Sequence, residues 1–383
     1  MCWGGNQAGE LGDKTTTTRS NPVGVSDITD VTGIALGLQH TCALLNHGGV
    51  RSLVKCWGAN TNGQLGDGTT NDSSNTPVLV SGITSAARIA THYMHSCALL
   101  ESGKVMCWGW NSRGQLGDNT TTDRKSPIEV IGITTATEIA SGGYHSCAML
   151  TGGKIVCWGG NDNGQLGDKS FVDRTAPVEV TGITTARKIA LGDAHSCALL
   201  TEGKVMCWGY NRMGQLGDGS AKDRHTPVEV LGIDNVVGLA LGGYHSCALQ
   251  DDQKVMCWGN NIMGQLGDGT RTDRHTPVKV LSINKPVSLA LGGYHSCALQ
   301  NDQNVMCWGR NEEGQLGDGS TTTRDKPAEV AGLFLSTSKT TFESNATETA
   351  SIKSIRSIKS NATGVAGVIV VIGMTALTLL LYI

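Results

Sequence analysis

Paired cysteines, each pair preceded by a histidine, are the residues whose types and spacing most clearly allow chemistry. Twelve of the thirteen cysteines form pairs separated by ten residues, or by fourteen in the first pair, and only Cys2 is left over. The pairs are Cys42 with Cys56, Cys97 with Cys107, Cys147 with Cys157, Cys197 with Cys207, Cys247 with Cys257, and Cys297 with Cys307. A histidine lies two residues before the first cysteine of every pair. This pattern is compatible with three states of the cysteines: disulfide bonds, zinc sites or buried free thiols.

The spacing favours disulfide bonds. Ten residues around a turn such as 101–103 set two cysteines opposite each other on antiparallel strands, and Gly103 can take the left-handed turn position. Directly opposed residues bring their Cβ atoms close enough for a bridge. Zinc is disfavoured because the usual CxxC spacing and a fourth ligand are missing. Free thiols in a cytosolic protein remain the alternative, whereas six bridges imply an oxidising compartment.

The other recurring polar residues are predicted to be structural. Each histidine before a pair begins a buried strand, where its ring can bond loop carbonyls. An Asx turn and a loop salt bridge account for the aspartates of GQLGDG and the arginines of DRxTP. These are Asp67, Asp118, Asp168, Asp218, Asp268, Asp318, Arg124, Arg174, Arg224 and Arg274. No nucleophile elbow, phosphate loop or paired metal motif is present, so neither an enzyme nor a cofactor is predicted.

These residues belong to a repeat. The tryptophans of its CWG core are Trp3, Trp57, Trp108, Trp158, Trp208, Trp258 and Trp308, which gives a period of 54, then 51, then 50 residues. The unit at 236–280 indicates four short strands: 236–242, 245–250, 254–259 and 277–280. The middle strands are apolar on both faces, as in the stacked four-stranded blades of a β-propeller.

The pattern GxxHSCALxxxxxVxCWGxNxxGQLGDG resembles the repeat of the regulator of chromosome condensation family. The resemblance covers residues 1–332 and implies an all-β fold, a seven-bladed propeller. It implies activity less strongly, because family members range from a nucleotide exchange factor for a small GTPase to β-lactamase inhibitors and scaffolds.

The first blade is predicted to be incomplete. Residues 1–4 align with residues 106–109, so the chain opens inside the third strand of a blade. Six full blades and one half follow from this count. We therefore expect an upstream segment that completes the blade and pairs with Cys2; a native start with an open or six-bladed ring is the alternative.

The C-terminal region differs from the ring in composition. Residues 333–363 are rich in Ser, Thr, Asn and Lys, which predicts a disordered, flexible stalk. Residues 364–383 carry no charge and are long enough to cross a bilayer as a hydrophobic helix, or to act as a lipid-anchor signal. Glycosylation sequons begin at Asn71, Asn119, Asn345 and Asn361.

The side of the membrane on which the ring lies is predicted from two opposing signals. Lys353, Arg356 and Lys359 precede the hydrophobic segment, which alone favours a cytosolic, tail-anchored ring. The paired cysteines and sequons favour an extracellular or lumenal ring. The formal net charge of −3 argues against a nucleic-acid partner.

Divergence between repeats indicates where a partner could bind. It is found in the insertion 47–54, the loop 71–75, and Phe171 with Val172, where other units carry small polar residues. The sequence thus predicts a membrane-tethered propeller that binds or adheres to a protein outside the cell. The alternative is an intracellular tail-anchored exchange factor for a small GTPase.

Overall fold

The computed structural model describes residues 1–47, 51–332 and 371–372. Six antiparallel sheets of four strands follow one another along the chain, and each is one blade. In chain order the blades are blade 1 (β3 Val31–Leu36, β4 His40–His47, β5 Arg51–Ala59, β6 Ser73–Leu79), blade 2 (β7 Ala86–His92, β8 His95–Leu100, β9 Val105–Gly109, β10 Arg124–Glu129), blade 3 (β11 Ala136–Ser141, β12 His145–Leu150, β13 Ile155–Gly159, β14 Arg174–Glu179), blade 4 (β15 Ala186–Leu191, β16 His195–Leu200, β17 Val205–Gly209, β18 Arg224–Glu229), blade 5 (β19 Val236–Leu241, β20 His245–Gln250, β21 Val255–Gly259, β22 Arg274–Lys279) and blade 6 (β23 Pro286–Leu291, β24 His295–Gln300, β25 Val305–Gly309, β26 Arg324–Glu329). The all-β propeller of four-stranded blades is thereby confirmed.

A two-stranded half blade, β1 (Cys2–Gly4) with β2 (Arg19–Val23), lies between blade 6 and blade 1. Trp3 Nε1 donates to the carbonyl of Gln315 in blade 6, and Trp57 Nε1 of blade 1 donates to the carbonyl of Glu10. The half blade therefore joins the two ends of the ring on its outer side. A two-residue strand, β27 (Val371–Ile372), pairs in parallel with Cys2 and Trp3.

The remaining C-terminal predictions fall on residues outside this description. They are the stalk at 333–363, the sequons at Asn345 and Asn361, and the hydrophobic helix at 364–383 apart from β27. Within the described ranges, no helix is long and apolar enough to cross a membrane.

The core lies between the blades because both faces of the middle strands are apolar. Each CWG tryptophan is almost fully buried and packs against the preceding blade. Trp258 Nε1, for example, donates to the carbonyl of Gln215 at 2.9 Å. Burying an indole while its N–H keeps a hydrogen bond avoids the cost of an unpaired donor. The sheets are thereby stacked side by side around the ring axis.

The fourth strand of each complete unit begins earlier than the sequence predicts. In blade 5 it spans Arg274–Lys279, whereas the predicted strand begins at Pro277. The register shifts between Cys257 and Gly259, so Pro277 lies in the irregular part of the ladder. Proline lacks an amide donor and is tolerated at such a bulge, which allows pairing to continue to Arg274.

The first strands of the six complete blades surround a central channel of about 560 Å³. Two loops of each blade lie at the same end of its sheet. One joins the first strand to the second, and the other joins the third strand to the fourth. In blade 5 this follows from the pairing of Leu241 with Ser246 and of His245 with Gly259, which in turn pairs with Arg274. We call this side of the ring the mouth face.

Candidate functional site at the mouth of the channel

The cysteine pairs are bonded within blades, as the spacing predicts. Cys247 and Cys257 face each other in the β20–β21 ladder, and the equivalent pair is bonded in every complete blade. Cys2 is a buried free cysteine, and burial raises the pKa of its thiol to about 12. The disulfides thus close single hairpins, while the cysteines also pack in the apolar layer against the next blade, as Cys97 and Cys107 do with Trp158.

The histidine before each pair links one blade to the next. His245 Nε2 lies 2.7 Å from Ser296 Oγ in blade 6, and the hydroxyl of Ser296 donates to the carbonyl of Gln265. The serine proton is therefore used, so the imidazole Nε2 is the donor. This corrects the prediction that the ring bonds loop carbonyls; blade stacking brings the serine of the following blade closer. Equivalent bonds begin at His40, His95, His145 and His195.

The aspartate and arginine of the long loop are structural, as predicted. Asp268 Oδ1 accepts from the amide and hydroxyl of Thr270, while Asp268 Oδ2 accepts from Arg274 at 2.8 Å. Burial alone would raise the pKa of Asp268, but these hydrogen bonds outweigh it and hold the pKa below its usual value. Both oxygens of the Asp268 carboxylate thus accept hydrogen bonds that stabilise the loop, so the carboxylate is not available to bind a ligand.

The centre of the mouth face is occupied by an aspartate that the other complete repeats lack at the equivalent position. Asp193, in the loop between β15 and β16, points its carboxylate towards His92 at the end of β7, with 3.5 Å between Asp193 Oδ1 and His92 Nε2. The two residues belong to blade 4 and blade 2, so the contact passes over the loop of blade 3. The Asp193 side chain is 24% exposed and that of His92 only 6%.

The tautomer of His92 follows from its other nitrogen. The amide of Tyr93 donates to His92 Nδ1 at 2.9 Å, so the proton of the neutral ring lies on Nε2 and faces Asp193. Burial lowers the pKa of His92, and the nearby Asp193 charge opposes this only in part. A neutral imidazole therefore faces the Asp193 carboxylate.

Aromatic rings flank this carboxylate in two groups. Tyr93, Trp110 and Tyr144 form the Trp110 cluster, with ring centroids 5.5 to 5.7 Å apart. Tyr244 lies 6.5 Å from Tyr210 and 5.7 Å from Tyr294, and these three form the Tyr244 cluster. Burial raises the pKa of Tyr244, and the neighbouring Asp193 charge raises it further. The mouth face is thus an aromatic surface with one acid at its centre.

The channel below the mouth carries three charged side chains at equivalent positions of consecutive blades. They are Arg88, Glu138 and Lys188, where the other blades have Gly or Ser. Glu138 Oε2 accepts from the amide of Ile189 at 3.2 Å. Burial raises the pKa of Glu138 and lowers the pKa of Lys188, and each residue's charge opposes the shift of the other. Within the channel, the negative charge of Glu138 thus partly compensates the positive charges of Arg88 and Lys188.

Comparison with known proteins identifies the family to which this propeller belongs. Residues 1–240 match the RCC1-like domain, and residues 252–299 and 302–339 match the Regulator of chromosome condensation (RCC1) repeat. The chain belongs to the RCC1-like domain family. Among curated relatives it is 32% identical to the ultraviolet-B receptor UVR8 of Arabidopsis thaliana over 32% of this chain and 28% of that protein. It is 37% identical to the probable E3 ubiquitin-protein ligase HERC4 of Homo sapiens over 26% of this chain and 9% of that protein. The match therefore spans less than a third of either relative.

Solved RCC1-like propellers have the same fold. Human WBSCR16 superimposes with a TM-score of 0.76 at 20% identity, covering 86% of this chain and 92% of that one. Yeast RCC1 (Prp20), in its complex with Kap60, gives 0.77 at 24% identity, covering 86% and 83%. Prp20p from Saccharomyces cerevisiae, whose structure was described with its binding to Gsp1p and histones, gives 0.76 at 25% identity over 86% and 85%.

The binding candidates named from the sequence lie on the outer part of the mouth face in this RCC1-like ring. Phe171 and Val172 are 51% and 61% exposed, and Phe171 contacts the ring of His225 in blade 4 at 5.0 Å. Asn71 and Asn119 are both exposed, and Asn119 Oδ1 accepts from the Thr175 hydroxyl. None of these residues forms part of the Asp193 site.

Sequence reasoning missed the centre of the mouth, although a signal was present. The position of Asp193 is glycine in blades 3, 5 and 6, and that of His92 is glycine in every other complete blade. A column-by-column comparison of the repeats would have singled out both residues. Their proximity could not have been read from the sequence, because it depends on the curvature of the ring.

Proposed function

We propose that the protein is a membrane-tethered binding module that recognises a protein partner through the mouth face of its propeller, outside the cell. The observation that carries the proposal is the aromatic surface around Asp193. Tyrosine and tryptophan are enriched in protein interfaces, where they supply large contact areas with little loss of conformational freedom. Tyr144 is 36% exposed, so part of this surface is open to a partner.

The repeats also differ in chemistry at this surface. The residue before the histidine that recurs in each complete blade is Gln39, Met94, Tyr144, Ala194, Tyr244 or Tyr294. The residue after the CWG of each complete blade is Ala59, Trp110, Gly160, Tyr210, Asn260 or Arg310. A rigid scaffold with variable loop residues is the usual arrangement of a recognition surface. The disulfide-stabilised blades supply such a scaffold.

Cross-linking from the mouth face would test the binding role. A photoreactive amino acid at position 144 of the full-length protein on cells is expected to give a discrete cross-linked protein. The matched control places the same group at Thr151, an exposed residue in the hairpin turn at the opposite end of blade 3. Equal products from both positions, or none from position 144, would contradict the proposed binding face.

The tether and the extracellular location rest on the disulfides, the sequons and the uncharged segment 364–383. The basic residues Lys353, Arg356 and Lys359 oppose this orientation if the segment remains as a helix. A lipid-anchor signal would remove that conflict, because the hydrophobic tail is then cleaved.

Treatment of intact cells separates these topologies. We expect external protease to remove the ring, and phosphatidylinositol-specific phospholipase C to release it if the anchor is a lipid. Retention after the phospholipase, with the ring still open to protease, would indicate a spanning helix. A ring that is membrane-bound, protected from external protease and without glycans would overturn the extracellular proposal in favour of a cytosolic exchange factor.

A further inference from the structure

We infer that Asp193 receives a lysine or arginine side chain of the protein partner, inserted at the centre of the mouth face. This rests on the proposed function, because it specifies the chemistry of the partner at that same surface. Its basis is the arrangement of five consecutive blades, 2 to 6, around a single carboxylate.

The carboxylate lies directly on the neighbouring loop of blade 5. A Cβ built on Gly243 would lie 3.1 Å and 3.2 Å from the two carboxylate oxygens, which is closer than ordinary contact, so glycine at this position lets the Asp193 side chain lie against the loop. The Asp193 amide donates to the Gly243 carbonyl at 3.1 Å, which anchors the loop. The position of the charge is thus determined by the backbone of two blades.

The negative charge of Asp193 has no cationic partner in the described part of the chain. No lysine or arginine forms an ion pair with it, and His92 faces it as a neutral ring. Protonation of His92 at Nδ1 would remove the bond from the Tyr93 amide. By contrast, Asp162 and Asp173 on the same face are both paired with Arg113. A carboxylate that is three-quarters buried and left without a cation favours an incoming positive charge.

The surrounding rings suit the same ligand. Tyr144, Tyr244 and Tyr294 come from blades 3, 5 and 6. Burial is the largest cause that raises the pKa of each hydroxyl, and the negative charge of Asp193 raises each pKa further. The three hydroxyl groups are therefore neutral, and the hydroxyl of Tyr244 donates a hydrogen bond to the Asp193 carboxylate. A cation over aromatic faces gains attraction from the rings in addition to the ion pair. Acid and rings together form a receptor for an ammonium or guanidinium group.

The test uses two short peptides and the full-length protein in detergent. The probes are acetyl-Gly-Arg-Gly-amide and its citrulline analogue, which has nearly the same shape without the charge. Binding is followed by Trp110-dependent fluorescence change and by calorimetry. We expect the arginine peptide to bind at least about tenfold more tightly than the citrulline peptide, with weakening at high salt. Equal affinity for the two peptides would overturn the inference.

Matched variants locate the effect. Asp193→Asn should lower affinity for the arginine peptide about tenfold, whereas Asp162→Asn, a carboxylate on the same face, should leave it unchanged. Tyr294→Phe should retain binding and Tyr294→Leu should weaken it, because only the former keeps the ring face. Wild-type affinity in Asp193→Asn would refute the assignment; unchanged thermal unfolding at neutral pH establishes that each variant is folded.

The two proposals can fail separately. If position 144 gives a cross-linked protein but the arginine and citrulline peptides bind equally well, the binding role stands and the cation site is refuted. Charge-selective peptide binding without any cross-linked protein would support the cation site and refute the proposed protein-binding role.

Discussion

Lowering the pH from 7 to 5 is expected to reduce the free energy of unfolding by about 2 kcal/mol for each buried histidine of the inter-blade series. Burial lowers the pKa of His40, His95, His195 and His245 to about 3, and that of His295 to about 4, from an ordinary value of 6.5. The pKa of His145 is likewise well below that value. The folded state excludes a proton that the unfolded chain binds, so stability falls as the pH drops below 6.5 and continues to fall towards the folded pKa.

The structure explains why these rings resist protonation. In five of the six, Nε2 donates to a serine of the following blade, and the buried Nδ1 has no hydrogen-bond partner among the residues that the structure describes. His295 differs because its Nε2 is the unpaired atom. A charged imidazolium at such a site would be desolvated without a compensating acceptor.

Urea unfolding followed by tryptophan fluorescence at pH 7 and pH 5 measures this effect. His245→Asn should reduce the difference between the two pH values by about 2 kcal/mol, the share of one histidine. His225→Gln, which alters a histidine outside the inter-blade series, should leave the difference as in the wild type. Stability that is equal at pH 7 and pH 5 would contradict the burial of neutral histidines.

Loss of all six disulfides is the second large effect. In the chain-entropy model a loop of ten to fourteen residues contributes roughly 3 kcal/mol per bridge, and the six loops are of this size. Replacing Cys247 and Cys257 together by serine should therefore lower the free energy of unfolding by about 3 kcal/mol. The ring should still close, because the blade-to-blade hydrogen bonds of Trp258 and His245 do not involve the cysteines.

Intact mass verifies the bridges directly. Reduction should add twelve hydrogens, two for each of the six disulfides, and denatured, unreduced protein should be alkylated once, at Cys2. Cys2→Ala is the control, since it removes the free thiol and keeps every bridge. Thirteen alkylated cysteines without reduction would indicate free thiols and would support the cytosolic alternative.

The local architecture could be predicted from the sequence because it depends on short-range order. Alternating patterns and the CWG period identify strands such as His245–Gln250, which the structure has at the same bounds. The spacing of Cys247 and Cys257 specifies their pairing, since a hairpin of fixed length allows only one register. The start of the fourth strand was less predictable, because pairing resumes beyond the irregular segment at Pro277.

Contacts between blades were decided by the tertiary structure. The sequence indicates that His245 begins a buried strand, but its bond to Ser296 depends on how neighbouring sheets stack. In the same way, the amino-acid types of His92 and Asp193 are visible as departures from glycine, yet nothing in the sequence brings them together. Closure of the ring directs the loops of successive blades towards one axis, and this convergence places Asp193 among His92, Tyr144 and Tyr244. The sequence alone thus determined the repeating blade and its disulfide, whereas the curvature of the assembled ring determined the site.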